Sequence, residues 1–418
     1  MDRYFSNRTR LYTIYSLILS ITFFCNCQSS EFLQSTTLES PGQCKLTSKG
    51  LFKGSLIGAD GKAYVFVFSL TDYQSSEPDA YFSSIYAVDE NCNFKKIYEI
   101  DERFNGPECF AIGEDNNIYF VLGDINNNNS FLYSLSTKGK VNWKVLLENG
   151  NNCEGIAIGN DGTIYVQLER VLYSISQDKN IKWNISSFNS IQEGPLIGEG
   201  DNLFIAYLYE GEGHLSSISK EGEINWSFDF GNELPERGVV GPSGNIYITS
   251  SIKGVAESLY LNSFNKEGNL NWKVLLGSGT VMEIITRGGI LIDEDETIYI
   301  SGVLKSIKAI NSIDGSIKWN KEGNGILDFI DGQGNIYLLE YEGYKEKIFD
   351  KNGNVLSVIG PEDGIFSVWS LVNDNYFYNY DGLHNFFIYQ ALGSGYSKSS
   401  WPMRYHDPQN TNRWNGGF

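Results

Sequence analysis

Histidine, methionine, proline and basic residues are scarce in this chain of 418 residues. It contains 3 His, 3 Met and 9 Pro, and its 32 Lys and Arg are outnumbered by 51 Asp and Glu, which gives a net charge of −19. Nucleic-acid binding requires clusters of Lys and Arg that neutralise phosphates, and the sequence contains none, so we exclude a nucleic-acid partner. A cationic ligand or a basic surface on a partner protein fits this charge better.

Cysteine is also used sparingly, and its spacing argues against two kinds of chemistry. The 6 Cys form neither a vicinal pair nor a C-x-x-C pair, which argues against a redox dithiol and against a zinc site. Two of them lie near the N-terminus. The remaining four allow three disulfide pairings in an oxidising compartment, and all three stay open. These four are Cys44, Cys92, Cys109 and Cys153.

Long apolar runs are absent from the sequence except at its start. "LYTIYSLILSITFF", residues 11–24, follows Arg3, Arg8 and Arg10. A basic segment followed by about 14 apolar residues is typical of an export signal and is short for a membrane span. We therefore predict a signal peptide over residues 1–26.

The next letters, "FFCNCQSS", resemble a bacterial lipoprotein signal with a relaxed lipobox of the spirochaete type. The resemblance makes Cys27 the acylated residue, and Cys25 stays a competitor because the motif departs from L-A-G-C. Two or three acyl chains on one Cys hold a chain stably at a membrane. We expect a lipid anchor in the cell envelope, in the outer membrane, with the periplasmic or surface face left open. Residues 27–44 read as a flexible polar tether. An ordinary secreted protein and an uncleaved membrane anchor are the alternatives.

An internal repeat fills the rest of the chain. Residues 159–184, 241–276 and 293–320 each contain a polar turn, a strand entered at Ile-Tyr, a second strand, a tight turn and a strand with Trp. The aromatic residue after the first turn recurs eight times, 38 to 55 residues apart, at Tyr64, Tyr119, Tyr165, Phe204, Tyr247, Tyr299, Tyr337 and Phe377. Five Trp recur 40 to 47 residues apart, at Trp143, Trp183, Trp226, Trp272 and Trp319.

This repeat has the size of a propeller blade. Four antiparallel strands in a unit of about 45 residues form one blade. A single sheet of this kind buries both faces only against its neighbours, and the Trp of each unit is placed to fill the gap between sheets. We therefore predict an all-β fold, a single β-propeller of four-stranded antiparallel blades over residues 45–418. Eight units favour eight blades, with seven blades and an incomplete unit as the alternative.

The pattern D-G-x-I-Y … L-Y-S-L-S-x-x-G-K-V-x-W resembles the pyrroloquinoline-quinone-type β-propeller repeat, over about residues 50–400. This repeat occurs in quinoprotein dehydrogenases and in the propeller lipoprotein of outer-membrane β-barrel assembly. The dehydrogenases typically carry a vicinal Cys pair beneath the quinone, which this sequence lacks. We predict neither a quinone cofactor nor dehydrogenase activity.

The C-terminal segment "WPMRYHDPQNTNRW" contains a His-Asp pair that suggests a catalytic site. It resembles a W-P-M-x-x-H-D-P-Q-x-T-x-R segment that flanks such repeats in bacterial propellers. His406 and Asp407 are adjacent, so in an extended chain their side chains point to opposite sides and do not form a dyad. We predict instead that residues 401–418 close the ring, with Trp401 filling the gap left by the last unit.

One repeat position gathers negative charge. Counting eleven residues back from each Ile-Tyr aromatic gives Lys53 in the first unit, and then Glu108, Glu154, Glu193 and Glu236 in the next four. The inner strand of a blade lines the central channel, so these residues would form half a ring at its mouth. Two interpretations stay open. The carboxylates bind a cation such as calcium or a cationic ligand, or they accept hydrogen bonds from neighbouring backbone N–H groups.

Two further motifs favour loops over sites. The segment from Asp124 to Ser130 lacks the Gly and Glu of a calcium loop, so we expect a hairpin loop. His214 and His384 lie in glycine-flanked segments without a partner at metal-ligand spacing, and we expect loops there too.

These observations favour a non-catalytic, lipid-anchored envelope propeller that binds a protein or another envelope component, with an assembly scaffold as one version. We assign no catalytic residue and expect no cofactor, with calcium at the channel-mouth carboxylates as the open alternative. The alternative is an envelope enzyme, or an ion-binding or small-ligand-binding protein, that uses the channel-mouth carboxylates.

Overall fold

The structure is a computed structural model that describes most of the chain from Lys45 to Ser397. The residues outside this description are 1–44, 48–49, 70–81, 90, 92, 101–103, 125–126, 149, 151, 187, 189, 192–193, 253–256, 280–288, 344, 360–370, 373–375, 381–384, 391–396 and 398–418. Within the described part, no helix is long and apolar enough to cross a membrane.

Eight antiparallel sheets make up the fold, seven with four strands and one with five. We number the strands β1 to β33 in chain order and the sheets as blades 1 to 8. The first strand, β1 (Lys45–Thr47), belongs to the last blade.

The first half of the chain forms blades 1 to 4. Blade 1 contains β2 (Gly50–Ile57), β3 (Ala63–Ser69), β4 (Phe82–Val88) and β5 (Phe94–Ile100). Blade 2 contains β6 (Phe104–Ile112), β7 (Asn117–Asp124), β8 (Asn129–Ser136) and β9 (Val141–Leu147). Blade 3 contains β10 (Cys153–Ile158), β11 (Ile164–Leu168), β12 (Val171–Ile175) and β13 (Ile181–Ile185). Blade 4 contains β14 (Ser190–Ile191), β15 (Leu196–Ile197), the 3-10 helix Glu199–Asp201, β16 (Leu203–Tyr209), β17 (Glu212–Ile218) and β18 (Ile224–Gly231). Its fifth strand arises because the inner strand is divided into β14 and β15, which both pair with β16.

The second half forms blades 5 to 8. Blade 5 contains β19 (Glu233–Val240), β20 (Ile246–Ile252), β21 (Glu257–Phe264) and β22 (Leu270–Gly279). Blade 6 contains β23 (Ile290–Ile292), β24 (Thr297–Val303), β25 (Ser306–Asn311) and β26 (Ile317–Glu322). Blade 7 contains β27 (Gly325–Ile330), β28 (Ile336–Glu340), β29 (Glu346–Phe349) and β30 (Val355–Ile359). Blade 8 contains β31 (Leu371–Val372), β32 (Tyr376–Tyr380), β33 (Asn385–Gln390) and β1.

Blade 8 joins the two ends of the described chain. Its outermost strand is β1, which pairs with β33 so that Lys45 lies opposite Phe387 and Thr47 lies opposite Asn385. Its inner strand β31 contacts β27 on one side and β2 on the other, and every other pair of successive inner strands is also in contact. The ring of sheets is therefore closed. The predicted all-β propeller of antiparallel blades is confirmed, whereas the predicted closing segment 401–418 with Trp401 lies outside the described residues.

The second strand forms the core in blades 1 to 7, where the structure describes its side chains. Every residue of β11 and β24 is buried, because sheets on both sides cover the faces of these strands. A Tyr near the start of this strand is buried in six blades, and a buried hydroxyl favours a hydrogen-bond partner, although the hydroxyls of Tyr165 and Tyr247 have none among the described residues. Tyr119 donates to Asp115 Oδ2 at 2.6 Å, and Tyr299 donates to Asp293 Oδ2 at 2.8 Å.

The Trp of blades 2 to 6 bridges its own blade and the next. Trp226 in β18 lies 5.9 Å from the ring of Phe204 and donates its indole N–H to the carbonyl of Lys266 in blade 5 at 2.9 Å. Gly268 in the same turn has φ +85, and a Cβ there would lie 2.5 Å from the Trp226 ring, so the turn requires glycine. The same carbonyl contact recurs from Trp143 to Gln177, Trp183 to Lys220, Trp272 to Ser312 and Trp319 to Lys351.

Candidate functional site

The residues predicted to lie at the channel mouth are at irregular positions of the inner strands. Glu154 is the extra residue between the pairs Cys153 with Leu168 and Gly155 with Gln167. Glu236 lies in the corresponding shift between Pro235 and Gly238, and Lys53 lies between Phe52 and Gly54 in β2. A β-bulge of this kind turns a side chain away from the regular alternation of the strand, which is why bulges occur near binding sites.

The remaining two candidates are described less fully. Glu108 lies in β6 within the register shift between Asn105 and Cys109, where the structure describes the backbone. The same holds for Lys53, and Glu193 lies outside the described residues. The backbone thus places Lys53, Glu108, Glu154 and Glu236 at bulges on the inner strands of blades 1, 2, 3 and 5.

A disulfide joins two of these bulges. Cys109 in β6 is bonded to Cys153 in β10, with 5.8 Å between their Cα atoms. Each Cys is the sequence neighbour of a candidate Glu, so the bond holds the backbones of Glu108 and Glu154 close together. It selects one of the three pairings that the sequence left open, and Cys44 and Cys92 lie outside the described residues.

The electrostatic environment of Glu154 disfavours its ionised form. Its side chain is exposed, but the surrounding protein removes part of its hydration. This desolvation, together with the negative charge of Glu169, raises the pKa of Glu154. Glu169 belongs to the turn between β11 and β12 and accepts a hydrogen bond from Asn152 Nδ2 at 3.1 Å. Two carboxyl groups therefore face the same region of blade 3.

Glu236 is held by its own blade. It is half-buried, and its Oε1 accepts a hydrogen bond from Ser251 Oγ at 2.7 Å. Its neighbour Glu233 accepts hydrogen bonds from Ser250 Oγ, at 2.8 Å, and from the Lys273 ammonium group. The Glu236 carboxylate is therefore held by a serine hydroxyl of its own blade and not by backbone N–H groups, whereas the Glu154 side chain is exposed.

The structure treats the other candidate residues from the sequence in three different ways. In the predicted hairpin loop from Asp124 to Ser130, residues 125–126 lie outside the described residues. The flanking strands β7 and β8 pair antiparallel, with Asp124 opposite Asn129, and Asn127 Nδ2 donates to Asp124 Oδ2 at 2.7 Å. His384, His406 and Asp407 lie outside the described residues. The expectation of a loop at His214 was wrong, because this residue lies within β17, where cross-strand pairing with β16 and β18 fixes its backbone.

One further group of residues is recognisable only in the structure. Glu212 and His214 lie near Asp229, with one potential ligand atom of each within 4.8 Å of the others. The usable signal was the E-x-H spacing, which places two side chains on one face of a strand. The third member is 15 residues away from His214 and is brought near only by the pairing of β17 with β18.

No family model and no curated protein matches this sequence. Solved structures share its fold. BamB from Moraxella catarrhalis has a TM-score of 0.54 at 12% identity, over 87% of this chain and 98% of BamB. Sqt1 from Chaetomium thermophilum has a TM-score of 0.62 at 10% identity, over 82% of this chain and 96% of Sqt1. A virginiamycin B lyase from Staphylococcus aureus, solved with quinupristin, has a TM-score of 0.50 at 10% identity, over 70% and 97%.

These similarities establish the β-propeller fold. Identities of 10 to 12% carry no residue-level correspondence, and the fold is shared by proteins with different activities. Sqt1 has been solved bound to the N-terminus of a ribosomal protein, whereas the lyase is an enzyme. Function must therefore be argued from the residues of this chain.

Proposed function

We propose that this protein is a non-catalytic, lipid-anchored propeller of the cell envelope that binds a protein partner at the channel mouth. The observation that carries the proposal is Glu154, an exposed carboxyl group at an inner-strand bulge with a raised pKa. Keeping a partly desolvated carboxyl group accessible at the surface lowers the folding stability of the protein. A basic group of a partner would compensate this loss on binding.

The same face of the propeller offers more than charge. We call it the entry face, because the inner strands begin there and because the second and third strands of each blade are joined there. Its turns expose apolar side chains, with Tyr209 at the end of β16 45% exposed and Leu304 between β24 and β25 42% exposed. Exposed aromatic and aliphatic residues beside complementary charge are typical of protein interfaces.

The sequence supports the proposed lipid anchor. The pyrroloquinoline-quinone-type repeat and the lipobox around Cys27 both resemble those of envelope propellers. Anchoring would keep the propeller near the membrane and raise the effective concentration of a membrane partner. An assembly scaffold in the outer membrane is the version that this combination favours.

A second candidate rests on the pairing of Glu154 with Glu169. Two interacting carboxyl groups with different environments can divide acid and base roles, or bind a cation such as calcium. In this version the protein is an envelope enzyme or an ion-binding or small-ligand-binding protein.

A capture experiment separates these candidates. The full anchored chain would be cross-linked in envelopes and purified, as wild type and as the double variant Glu154→Gln and Glu236→Gln. The control is the double variant Glu221→Gln and Glu223→Gln, which removes two exposed carboxylates from the turn between β17 and β18 on the opposite face. We expect a protein partner whose affinity falls about tenfold or more in the first variant and is unchanged in the control.

Two other results of this capture experiment would contradict the proposal. Equal capture of the same partner by both variants would contradict binding at the channel mouth. Calcium-dependent melting that is lost in the first variant, with no protein captured, would favour the second candidate.

A further inference from the structure

A second cluster of polar side chains lies on blade 4, away from the inner strands. Glu212 and His214 belong to β17, and Asp229 belongs to β18. One potential ligand atom from each lies within 4.8 Å of the other two, and no other group of three or more His, Cys, Asp and Glu in the described part of the chain meets this criterion. The cluster combines one imidazole with two carboxylates.

Strand geometry places the three side chains on one face. Residues two apart in a strand point to the same side, so Glu212 and His214 share a face of β17. His214 lies directly opposite Asp229 in the register of β17 with β18. A register shift between Gly213 and His214 marks a bulge beside this pair. The arrangement thus follows from the backbone pairing and not from a chance approach of long side chains.

Neighbouring groups orient two of the three side chains. The imidazole of His214 stacks on the ring of Tyr207, with 5.3 Å between centroids and 23° between planes. Tyr207 is itself buried, so it provides a fixed surface for the imidazole. The Oδ1 atom of Asp229 accepts the backbone N–H of Gly231 at 2.6 Å. Groups that orient ligand side chains in this way raise the affinity of a metal site.

The strands that carry the cluster are held against the next blade. Gly213 lies between Glu212 and His214, and a Cβ at this position would lie 2.0 Å from the carbonyl oxygen of Glu233 in blade 5. The backbone of β17 is therefore in close contact with β19. Glu212, at the start of β17, lies at the entry face, whereas the channel-mouth candidates lie on inner strands.

We propose that Glu212, His214 and Asp229 bind a divalent transition metal ion of the zinc type. Zinc is bound by imidazole nitrogen and carboxylate oxygen, and three protein ligands leave a fourth position for water or a partner's side chain. Bonds of about 2.0 to 2.1 Å imply ligand atoms roughly 3.4 Å apart in a tetrahedral site, so modest side-chain rotation completes the geometry. Calcium and magnesium prefer oxygen ligands alone, which distinguishes this site from any calcium site at the channel mouth. The proposal does not depend on the proposed function.

Calorimetric titration of the metal-free full chain in detergent with zinc chloride tests this site. We expect one ion per chain and no competition from calcium. His214→Phe keeps an aromatic ring against Tyr207 but removes the ligand, so zinc affinity should fall at least about 100-fold. Asp229→Asn should lower the affinity at least about tenfold. The matched controls His384→Ala and Glu221→Gln should bind zinc as the wild type does.

Two further measurements keep the test decisive. Without zinc, His214→Phe and the wild type should unfold at the same urea concentration, which shows that the variant is folded. Cobalt should produce visible absorption bands of a nitrogen- and oxygen-ligated ion in the wild type, and His214→Phe should lack them. The proposal is refuted if the wild type shows no saturable one-to-one zinc binding. The cluster would then be only a histidine beside two carboxylates. It is equally refuted if His214→Phe binds zinc as tightly as the wild type.

Discussion

Removing the disulfide between Cys109 and Cys153 should destabilise the protein by an amount that the structure allows to be worked out. The bond closes a loop with a sequence separation of 44. In the chain-entropy relation, cross-linking a loop of this length removes denatured-state entropy equivalent to about 4 kcal/mol at 25 °C. Both Cys are buried, so replacing them by Ala adds a small cavity cost in the native state.

The assay is equilibrium unfolding in urea. The variant Cys109→Ala with Cys153→Ala should unfold at lower urea, with a free energy of unfolding smaller by about 3 to 5 kcal/mol. A reductant should remove most of the difference, because reduced wild type loses the same cross-link. The variant Cys44→Ala with Cys92→Ala serves as the control that keeps this bond. A free energy of unfolding within about 1 kcal/mol of the oxidised wild type would refute the argument.

Four other predictions concern pH, packing and the chain ends. Glu154→Gln should stabilise the protein at neutral pH, because the raised pKa of Glu154 means that its ionised form costs folding stability. This gain should vanish as the pH falls through the raised pKa towards the ordinary Glu value, since the folded state then binds the Glu154 proton more readily than the unfolded state does. Urea midpoints from pH 4 to 8 measure the gain, and a gain that grows on acidification would contradict the raised pKa. Trp226→Ala should lower the free energy of unfolding, measured by calorimetry, by about 2 to 4 kcal/mol, because the substitution empties the space between blades 4 and 5. A loss below about 1 kcal/mol would show that packing between these blades does not depend on the indole. Deletion of residues 401–418 should greatly lower the melting temperature if this segment closes the ring, and a truncated chain that melts like the full one would remove that role. Cys27→Ala should abolish incorporation of an alkyne-labelled fatty acid, whereas Cys25→Ala should keep it, and the reverse result would assign the lipid to Cys25.

The repeat could be predicted from the sequence because its signals are local. The Ile-Tyr dipeptide after a polar turn and the Trp after a Gly turn recur about once per blade. The Tyr is required by packing within its blade, and the Trp is required by packing against the next blade. Tyr119 and Trp226 show the consequence, since one satisfies its own turn and the other fills the adjacent gap. Such periodic requirements survive sequence drift between units and so remain visible in a single chain.

The features that the sequence did not reveal depend on pairing between distant or irregular segments. The position of β1 in blade 8 follows from its pairing with β33, which lies more than 300 residues away in the sequence. The three residues of β1 are too few to show a pattern that predicts this pairing. The bulge at Glu154 depends on a shift of register, which composition does not encode. His214 was misassigned because its flanking glycines suggested a loop, whereas Gly213 is there to let β17 approach Glu233.

The pairing of β1 with β33 also makes completion of the fold depend on completion of synthesis. A chain that stops early leaves β1 without its partner and presents open strand edges in the last blades, and such edges are sites of aggregation and proteolysis. Bringing Lys45 to Phe387 across the whole ring costs roughly 5 kcal/mol of loop-closure entropy if nothing between them has folded. Blades 1 to 7 lower that cost when they form first. The N-terminal strand therefore works as a length check: only a chain that extends through β33 can seal the ring.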